Sequence, residues 1–438
     1  MICKKLTDMK KQYFIGDFEP NVVRSEHLEV SLKTASIFTL DVAYYREQDT
    51  TVIYIVCGCI LVNNTKYGDD DILTFLPGEI INLFALEESK LIVMHFPGTK
   101  KDLKRVRWDN FDEMDSFYQK YLDILTKNHT NPYNCVPGER ILPKDITFVV
   151  QGYADLSVTG NTVQSIRKYM PDSRIILSTW EECDCTGIDC DELILNKDPG
   201  SCECALYADE PIANNGNRQI LSTKNGLDKV ETTYAFKLRS DLTIHGDDIL
   251  SYFNAFPKRE AQYSIFKNRI LIGELYTRND FVYRAPDNSR HSVPKPFHPS
   301  DWFFFGLTED LRAIYDSIEL IPRNEMGGYL CGHPERVEDN KYKYSWRYTT
   351  EQHIMLGCVR KKFEQLNFDD WTDWNDETIL LSEKIMMNNF VILDFCQHKI
   401  LNQKYVPACF SNSGVSYAEK ELMTNRQMAE YYRNVFGD

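Results

Sequence analysis

The nine residues YAFKLRSDL, 234 to 242, decide how the chain is read. They open as an apolar run of strand type and stop at Arg239, Ser240 and Asp241, three polar groups that a buried strand cannot hide without partners. Charge is therefore expected at the end of a strand. Four residues later GDDILSYFNAFP reads as a helix, with an acidic first turn, Ile249, Phe253 and Phe256 at helical spacing, and Pro257 as its stop. A strand, a polar tip and a helix make a ligand crevice, because in open α/β sheets ligands sit beyond the carboxyl ends of the strands. A surface ion pair between Arg239 and Asp241 fits the same letters, so the surrounding chain has to choose.

Upstream, the pattern repeats. DITFVVQG from Asp145 is a buried strand ending at Gln151 and Gly152, NTVQSIRKYMP a helix stopped by Pro171, RIILSTWE a strand ending near Thr179, and DELILNKDPG a strand with Asp198 at its tip. NNGNRQILSTKNGL then reads as a helix with Gly226 as its C-cap. Four strand segments separated by helices or loops predict a largely parallel sheet, an α/β nucleotide fold at the level of class. Neither a Gly-x-Gly-x-x-Gly turn nor a phosphate-loop Gly-Lys-Ser/Thr motif is present, which weakens dinucleotide and nucleotide-hydrolase readings.

Residues 1 to 98 differ, with short strand-like runs, polar turns and no long helical period, as in an all-β domain. In GDDDILTFLPGEIINLFALEESKLIVMHFPG, 68 to 98, Gly68, Pro77 and Gly78 punctuate strands. This piece resembles the second motif of cupin barrels. Where that motif carries a metal-binding histidine the chain has Ile81, and no His-x-His pair precedes it, so the resemblance implies a jelly roll without metal in which His95 is a strand residue. Such a barrel would dimerise the chain, sense a sugar or brace its neighbour. Residues 99 to 143 read as a connector with a helix from Asn110 to Lys127, which sets the next domain at 144 to 438.

A net charge of −15 argues against a duplex-binding surface and makes nucleic acid an unexpected partner. The start lacks a secretory pattern and no run approaches the ~18 apolar residues of a membrane span, so a cytoplasmic protein, peripheral to the inner membrane at most, is expected. Cys183, Cys185, Cys190, Cys202 and Cys204 read either as a zinc site or as a cysteine-rich loop.

FVVQG, SIRKYMPDSRIILSTWE, DELILNKDPG, NRQILSTKNGL, YAFKLRSDL, FHPSDWFFFG and RYTTEQ, in that order between about 144 and 400, resemble the WavE lipopolysaccharide-synthesis family, a group taken to be bacterial glycosyltransferases. The resemblance implies a GT-A-like, Rossmann-type domain that takes a nucleotide-sugar donor and builds a bond to a lipopolysaccharide-core, capsular or lipid-linked oligosaccharide acceptor. On that reading Gln151, Gly152 and Thr179 line base and ribose, Asp198 holds a ribose hydroxyl, and Arg218 and Arg239 meet the diphosphate, since guanidinium offers two parallel donors to phosphate. Lys224 is the further candidate there, or a surface cation. Asp241 stands where GT-A enzymes keep the last carboxylate of Asp-x-Asp, a ligand for Mg2+ or Mn2+, but Arg239 replaces the first and itself supplies positive charge. His298 and Trp302 are the acceptor candidates. Glu351, in the first turn of a helix capped by Thr349 or Thr350, is the candidate general base or a helix-capping acid, with Asp301 as second choice. His398, after Asp394, would complete a metal site or serve the structure, and YAEKELMTNRQMAEYYRNVF, 417 to 436, is an amphipathic packing helix. A lapsed sugar- or nucleotide-binding scaffold and a sugar nucleotidyltransferase are the rival functions.

Overall fold

Along Thr50–Cys57 the side chains of Thr51, Ile53 and Ile55 turn inward and their neighbours outward, the period-two signature of a strand with one wet face. The computed structural model of the protein describes residues 13–437 apart from 20, 107, 109, 129–140, 208–209, 285–289, 338–343, 345, 405, 407–408 and 410–420. It divides into two compact units, Met1–Asp109 with Tyr405–Ser416, and Asn110–Lys404 with Tyr417–Asp438.

The first unit has two five-stranded sheets. One runs in the order Tyr13–Ile15, Glu29–Ala35, Ser89–Phe96, Thr50–Cys57, Ile72–Phe75, and the other Leu103–Arg105, Leu40–Arg46, Ile81–Ala85, Ile60–Val62, Thr65–Tyr67. All neighbours are antiparallel and the chain repeatedly crosses between sheets, which is the double-sheet jelly roll. Ile53, Ile55, Ile60, Leu83 and Leu91 form its dry centre. Ile81 belongs to that core, and His95 is a buried strand residue whose Nδ1 lies 3.1 Å from the Thr51 hydroxyl.

In the second unit we number the strands of the main sheet β1 (Ile146–Gln151), β2 (Arg174–Trp180), β3 (Glu192–Asn196), β4 (Tyr234–Arg239), β5 (Ile270–Gly273), β6 (Phe303–Leu307) and β7 (Phe390–Leu393). Their order is β3-β2-β1-β4-β6-β5-β7, and β6 alone runs against the rest. From β1 the chain goes outward through β2 and β3, then returns to place β4 on the other side. The crevice between the ends of β1 and β4 is therefore the topological switch point, where Gln151 stands opposite Arg239.

Two local expectations change. GDDILSYFNAFP forms only a 3-10 turn, Asp248–Tyr252, and Phe256 then takes a left-handed φ of 58° just before Pro257, although Ile249, Phe253 and Phe256 still bury. Gly226 lies inside the helix Gly216–Leu227, capped by Asp228, and serves packing: a Cβ there would stand 2.3 Å from Val149 Cγ1 of β1. The helix Phe111–Asn128, expected in a connector, counts with the second unit, where Asp115 accepts from Tyr169 at 2.6 Å and lies 2.6 Å from His245 Nδ1. Thr243 Oγ1 stands 2.9 Å from the other nitrogen of His245. This row of Thr243, His245 and Asp115 has the spacing of a nucleophile relay, but all three are buried, and it braces the helix.

Gly226→Ala gains ~1 kcal/mol of helix propensity and loses ~1–3 kcal/mol to overpacking, so net destabilisation is expected in chemical denaturation. In the jelly roll, burial, then Arg46 and Lys33, hold the His95 pKa down at about 3. A base depressed below its unfolded value of 6.5 keeps its full stabilisation above that pH and loses it as pH falls toward about 3. His95→Asn should remove ~1.4 kcal/mol per pH unit from the acid slope of stability in that window, as read from denaturation at pH 6 and 4.

Candidate functional site

The end of β4 is where the sheet turns polar. Arg239 donates to Asp241 twice, Nε to Oδ1 at 3.0 Å and Nη2 to Oδ2 at 2.8 Å, and Lys404 Nζ lies 3.3 Å from the same Oδ2. Burial pushes the Asp241 carboxyl up, but Arg239 and Lys404 outweigh it and hold the pKa below its ordinary value. Between them Ser240 turns to β1, its amide donating to the Gln151 carbonyl at 2.9 Å and its hydroxyl to the Tyr153 carbonyl at 2.6 Å. Gly152 has a φ of 123° there, and a Cβ would meet Ser240 Oγ at 3.0 Å. Gln151 itself is buried and accepts from the Ser222 hydroxyl at 2.9 Å.

From this tip a row of rings leads to a cavity. The Arg239 guanidinium lies 6.0 Å over the Trp302 ring, and Trp302 meets Tyr276 edge-on at 5.6 Å. Tyr276 lines a cavity of about 320 Å³ together with Asn214, Asn215, Arg278, Lys295, His298, Thr349, Glu351 and Trp371. Trp302, expected as a stacking platform, is 5% exposed, and Tyr276 is the ring that faces this space.

Glu351 is held in the first turn of Thr350–Lys362 by a capping box between Thr349 and Gln352. The Gln352 side chain also donates to the Pro296 carbonyl at 2.8 Å, fixing the helix start against the strand Arg290–His298. His298, at the end of that strand, places Nε2 3.6 Å from Glu351 Oε2, and its buried Nδ1 has no hydrogen-bond partner. Burial, then Arg278 and Lys295, drive the His298 pKa well below its ordinary value, so the imidazole is neutral. Lys295 is 2% exposed with its ammonium 3.9 Å from the centre of the Trp371 ring. Burial, with Arg278 beside it, lowers its pKa as well.

Lys237 ties the tip of β4 to the cavity. It is fully buried in β4, donates to the Asp301 carbonyl, and lies within electrostatic reach of Asp301, Arg239, Asp241 and Glu351. Burial brings its pKa down to about 8, against the pull of those carboxylates. Asp301 is raised above its ordinary value by burial and by Glu351.

The other expected residues lie elsewhere along the sheet edge. Thr179 is buried on β2, with its hydroxyl donating to Cys183 Sγ at 3.2 Å. Asp198 and Arg218 bond to each other, Nε to Oδ1 at 2.8 Å, and Lys224 lies 3.5 Å from Asp316. His398 pairs with the buried Glu274 at 3.3 Å and accepts from the Ile400 amide, a structural role. Among the described residues no group of three or more His, Cys, Asp or Glu is placed to hold a metal ion, and Cys183, Cys185 and Cys190 are free thiols; Cys202 Sγ lies 3.8 Å from the Arg323 carbonyl, and Cys204 has no described side chain. Both oxygens of Asp241 are already met by cations, so its donor set does not fit the Mg2+ or Mn2+ expected on it.

Several site residues escaped the sequence reading, among them Tyr276, Arg278, Lys237, Lys295 and Lys404. Lys295 carried a signal, since it holds the apolar phase of a strand between Val293 and Phe297. Lys237 carried the same one inside YAFKLR.

The model of the WavE lipopolysaccharide synthesis family matches residues 146–412. The chain belongs to that family. Membership implies a biosynthetic enzyme of lipopolysaccharide synthesis. Solved structures match over the other end of the fold: an uncharacterised double-stranded beta-helix protein of Klebsiella pneumoniae (13% identity, 19% of this chain and 72% of that one, TM-score 0.18) and KdgF from Halomonas sp. (16%, 18% and 74%, TM-score 0.17). YhhW of Escherichia coli matches at 14% identity over 20% of this chain and 38% of its own, with a TM-score of 0.18. At such scores the jelly roll rests on its own strand order. No curated protein matches the chain. Among the described residues no helix is long and apolar enough to cross a membrane.

Replacing a buried charge by an apolar side chain of similar length is often neutral or stabilising. Lys295→Met is therefore expected to hold or raise the melting temperature. A loss of ~2 kcal/mol or more in chemical denaturation would mark the ammonium as a structural partner instead.

Proposed function

We propose that the second unit is a GT-A-like glycosyltransferase that moves a sugar from a nucleotide-sugar donor to an oligosaccharide or lipid-linked acceptor of lipopolysaccharide synthesis, working at the cytoplasmic face of the inner membrane. The observation that carries this reading is the convergence around Lys237 of Arg239, Asp241, Asp301 and Glu351, residues spread over more than a hundred positions. The sheet supports it too, since its switch point lies between Gln151 and Arg239, where a mostly parallel sheet receives a ligand.

The donor diphosphate would meet Arg239 and Lys404, with Asp241 fixing the plane of the guanidinium. These two cations take the place expected for a metal and offset the charge that collects on the leaving diphosphate. In the cavity, Tyr276 offers a ring to a sugar, and Asn214, Asn215 and Thr349 offer hydrogen bonds. Glu351 would take the proton of the acceptor hydroxyl as that oxygen attacks the anomeric carbon and the bond to the diphosphate breaks. It is partly exposed to the cavity, whereas Asp301 is buried and does not line it, out of reach of an acceptor hydroxyl there.

Glu351→Gln should lower kcat by ~100-fold to 10,000-fold with donor affinity unchanged, measured as nucleoside diphosphate release with acceptor present. Wild-type turnover in that variant would end the assignment. Turnover should persist in EDTA, and Arg239→Gln should weaken donor binding ~10-fold or more without rescue by Mn2+. Activity abolished by EDTA and restored by Mn2+ would show that the cations do not replace a metal.

A further inference from the structure

The jelly roll holds a second concentration of charge, which the reaction above does not use. At one end of its core, where Ile53, Leu83 and Val93 stop, lies a cavity of about 130 Å³ lined also by Lys33, Arg46, His95 and Arg105. Among the described residues no aspartate or glutamate lines it. In a chain with a formal charge of −15, three permanent cations around one small space are not a sample of the average surface.

Arg46 is 8% exposed. One arm of its guanidinium, Nη1, donates to Asp49 at 3.2 Å, and Nε is buried with no hydrogen-bond partner. Asp49 is itself engaged by the Thr99 amide at 3.0 Å from both oxygens, so its charge is shared with the backbone. A buried guanidinium N–H left unpaired is costly, because charged donors lose the most when desolvated. His95 adds no charge: burial and the neighbouring Arg46 and Lys33 keep it neutral. Asp49, Asp102 and Glu29 lie within electrostatic reach of these groups, but among the described residues the side chains that face the cavity itself carry positive charge only.

Size limits the occupant. At ~30 Å³ per water the space holds about four waters, enough for a phosphate or carboxylate and the first atoms attached to it. A whole nucleotide sugar does not fit inside. Tyr13, Tyr44 and Ser31, also in the lining, bring hydroxyl groups suited to those of a sugar.

We propose that this barrel cavity is a binding site for the anionic group of a small sugar derivative, a phosphate or a carboxylate, held by the three cations Lys33, Arg46 and Arg105 that line it. The site is independent of the transferase reading of the second unit. Glucose 1-phosphate and glucuronate represent the two sources of the anion, and glucose is the neutral control.

Titration calorimetry on the full chain tests it. One of the two anionic probes is expected to bind saturably at one site per chain, with glucose giving no comparable heat. Preference for glucose 1-phosphate makes the ligand a sugar phosphate, and preference for glucuronate makes it a sugar acid. The double variant K33Q/R105Q alters side chains outside the buried core, so the barrel is expected to stay folded by thermal unfolding. Its affinity for the preferred probe should fall by ~10-fold or more, as for lost charge-assisted hydrogen bonds. Absence of binding by both anions, equal binding of glucose, or affinity unchanged in K33Q/R105Q would each overturn the proposal, the last because the probe would then sit elsewhere in the chain.

Discussion

The second unit depends on one paired interaction, the two parallel hydrogen bonds from Arg239 to Asp241 at the end of β4. Side chains two positions apart point to the same side of an extended chain, and just past β4 the backbone turns at Ser240 and Asp241. That turn directs Ser240 to β1, where it ties the carbonyls of Gln151 and Tyr153. The three letters RSD thus do two jobs at once. The flanking charges satisfy each other, and the central serine joins the two strands that border the switch point. Because Asp241 is 5% exposed, its carboxylate would be strongly disfavoured without that guanidinium.

Around this knot the structure separates its carboxylates by environment. Asp241 is kept charged by cations, Asp301 is pushed toward its neutral form by burial, and Glu351 stands at a helix start with one side open to a cavity. Acids of similar intrinsic strength thereby come to differ: one is clamped by cations, one is buried, and one faces a cavity. The same logic holds His298 neutral beside Glu351, where a charged imidazole would cancel the carboxylate.

Much of this was legible in the letters. The four parallel strands follow from apolar runs with polar ends, and the capping box at Thr349 from a threonine three residues before a glutamine. The crossings of the jelly roll follow less directly, since short strands with turns between them specify a β domain without specifying which strands pair. What stayed hidden had physical reasons. Asp198 and Arg218 sit 20 residues apart, and nothing local says that they satisfy each other rather than a ligand. Gly226 at the end of a helix looks like a cap, because sequence cannot show Val149 pressing on its α carbon. Lys404 is far from Asp241 along the chain and has no motif, and Tyr276 and Arg278 sit on a segment with no strong periodicity. Buried lysines in apolar strands, Lys237 and Lys295, were the clues most easily passed over.

The position of Lys404 also matters to how the protein is made. The carboxylate it contacts is synthesised more than 160 residues earlier, just past β4 and before the strands β5, β6 and β7 that complete the sheet. Contacts of such wide separation form late and slowly. A chain still on the ribosome therefore owns Arg239 and Asp241 long before it owns their second cation. Its buried Asp241 carboxylate is then held by one cation alone, so the full compensation of that charge belongs to the finished molecule rather than to its growing precursor.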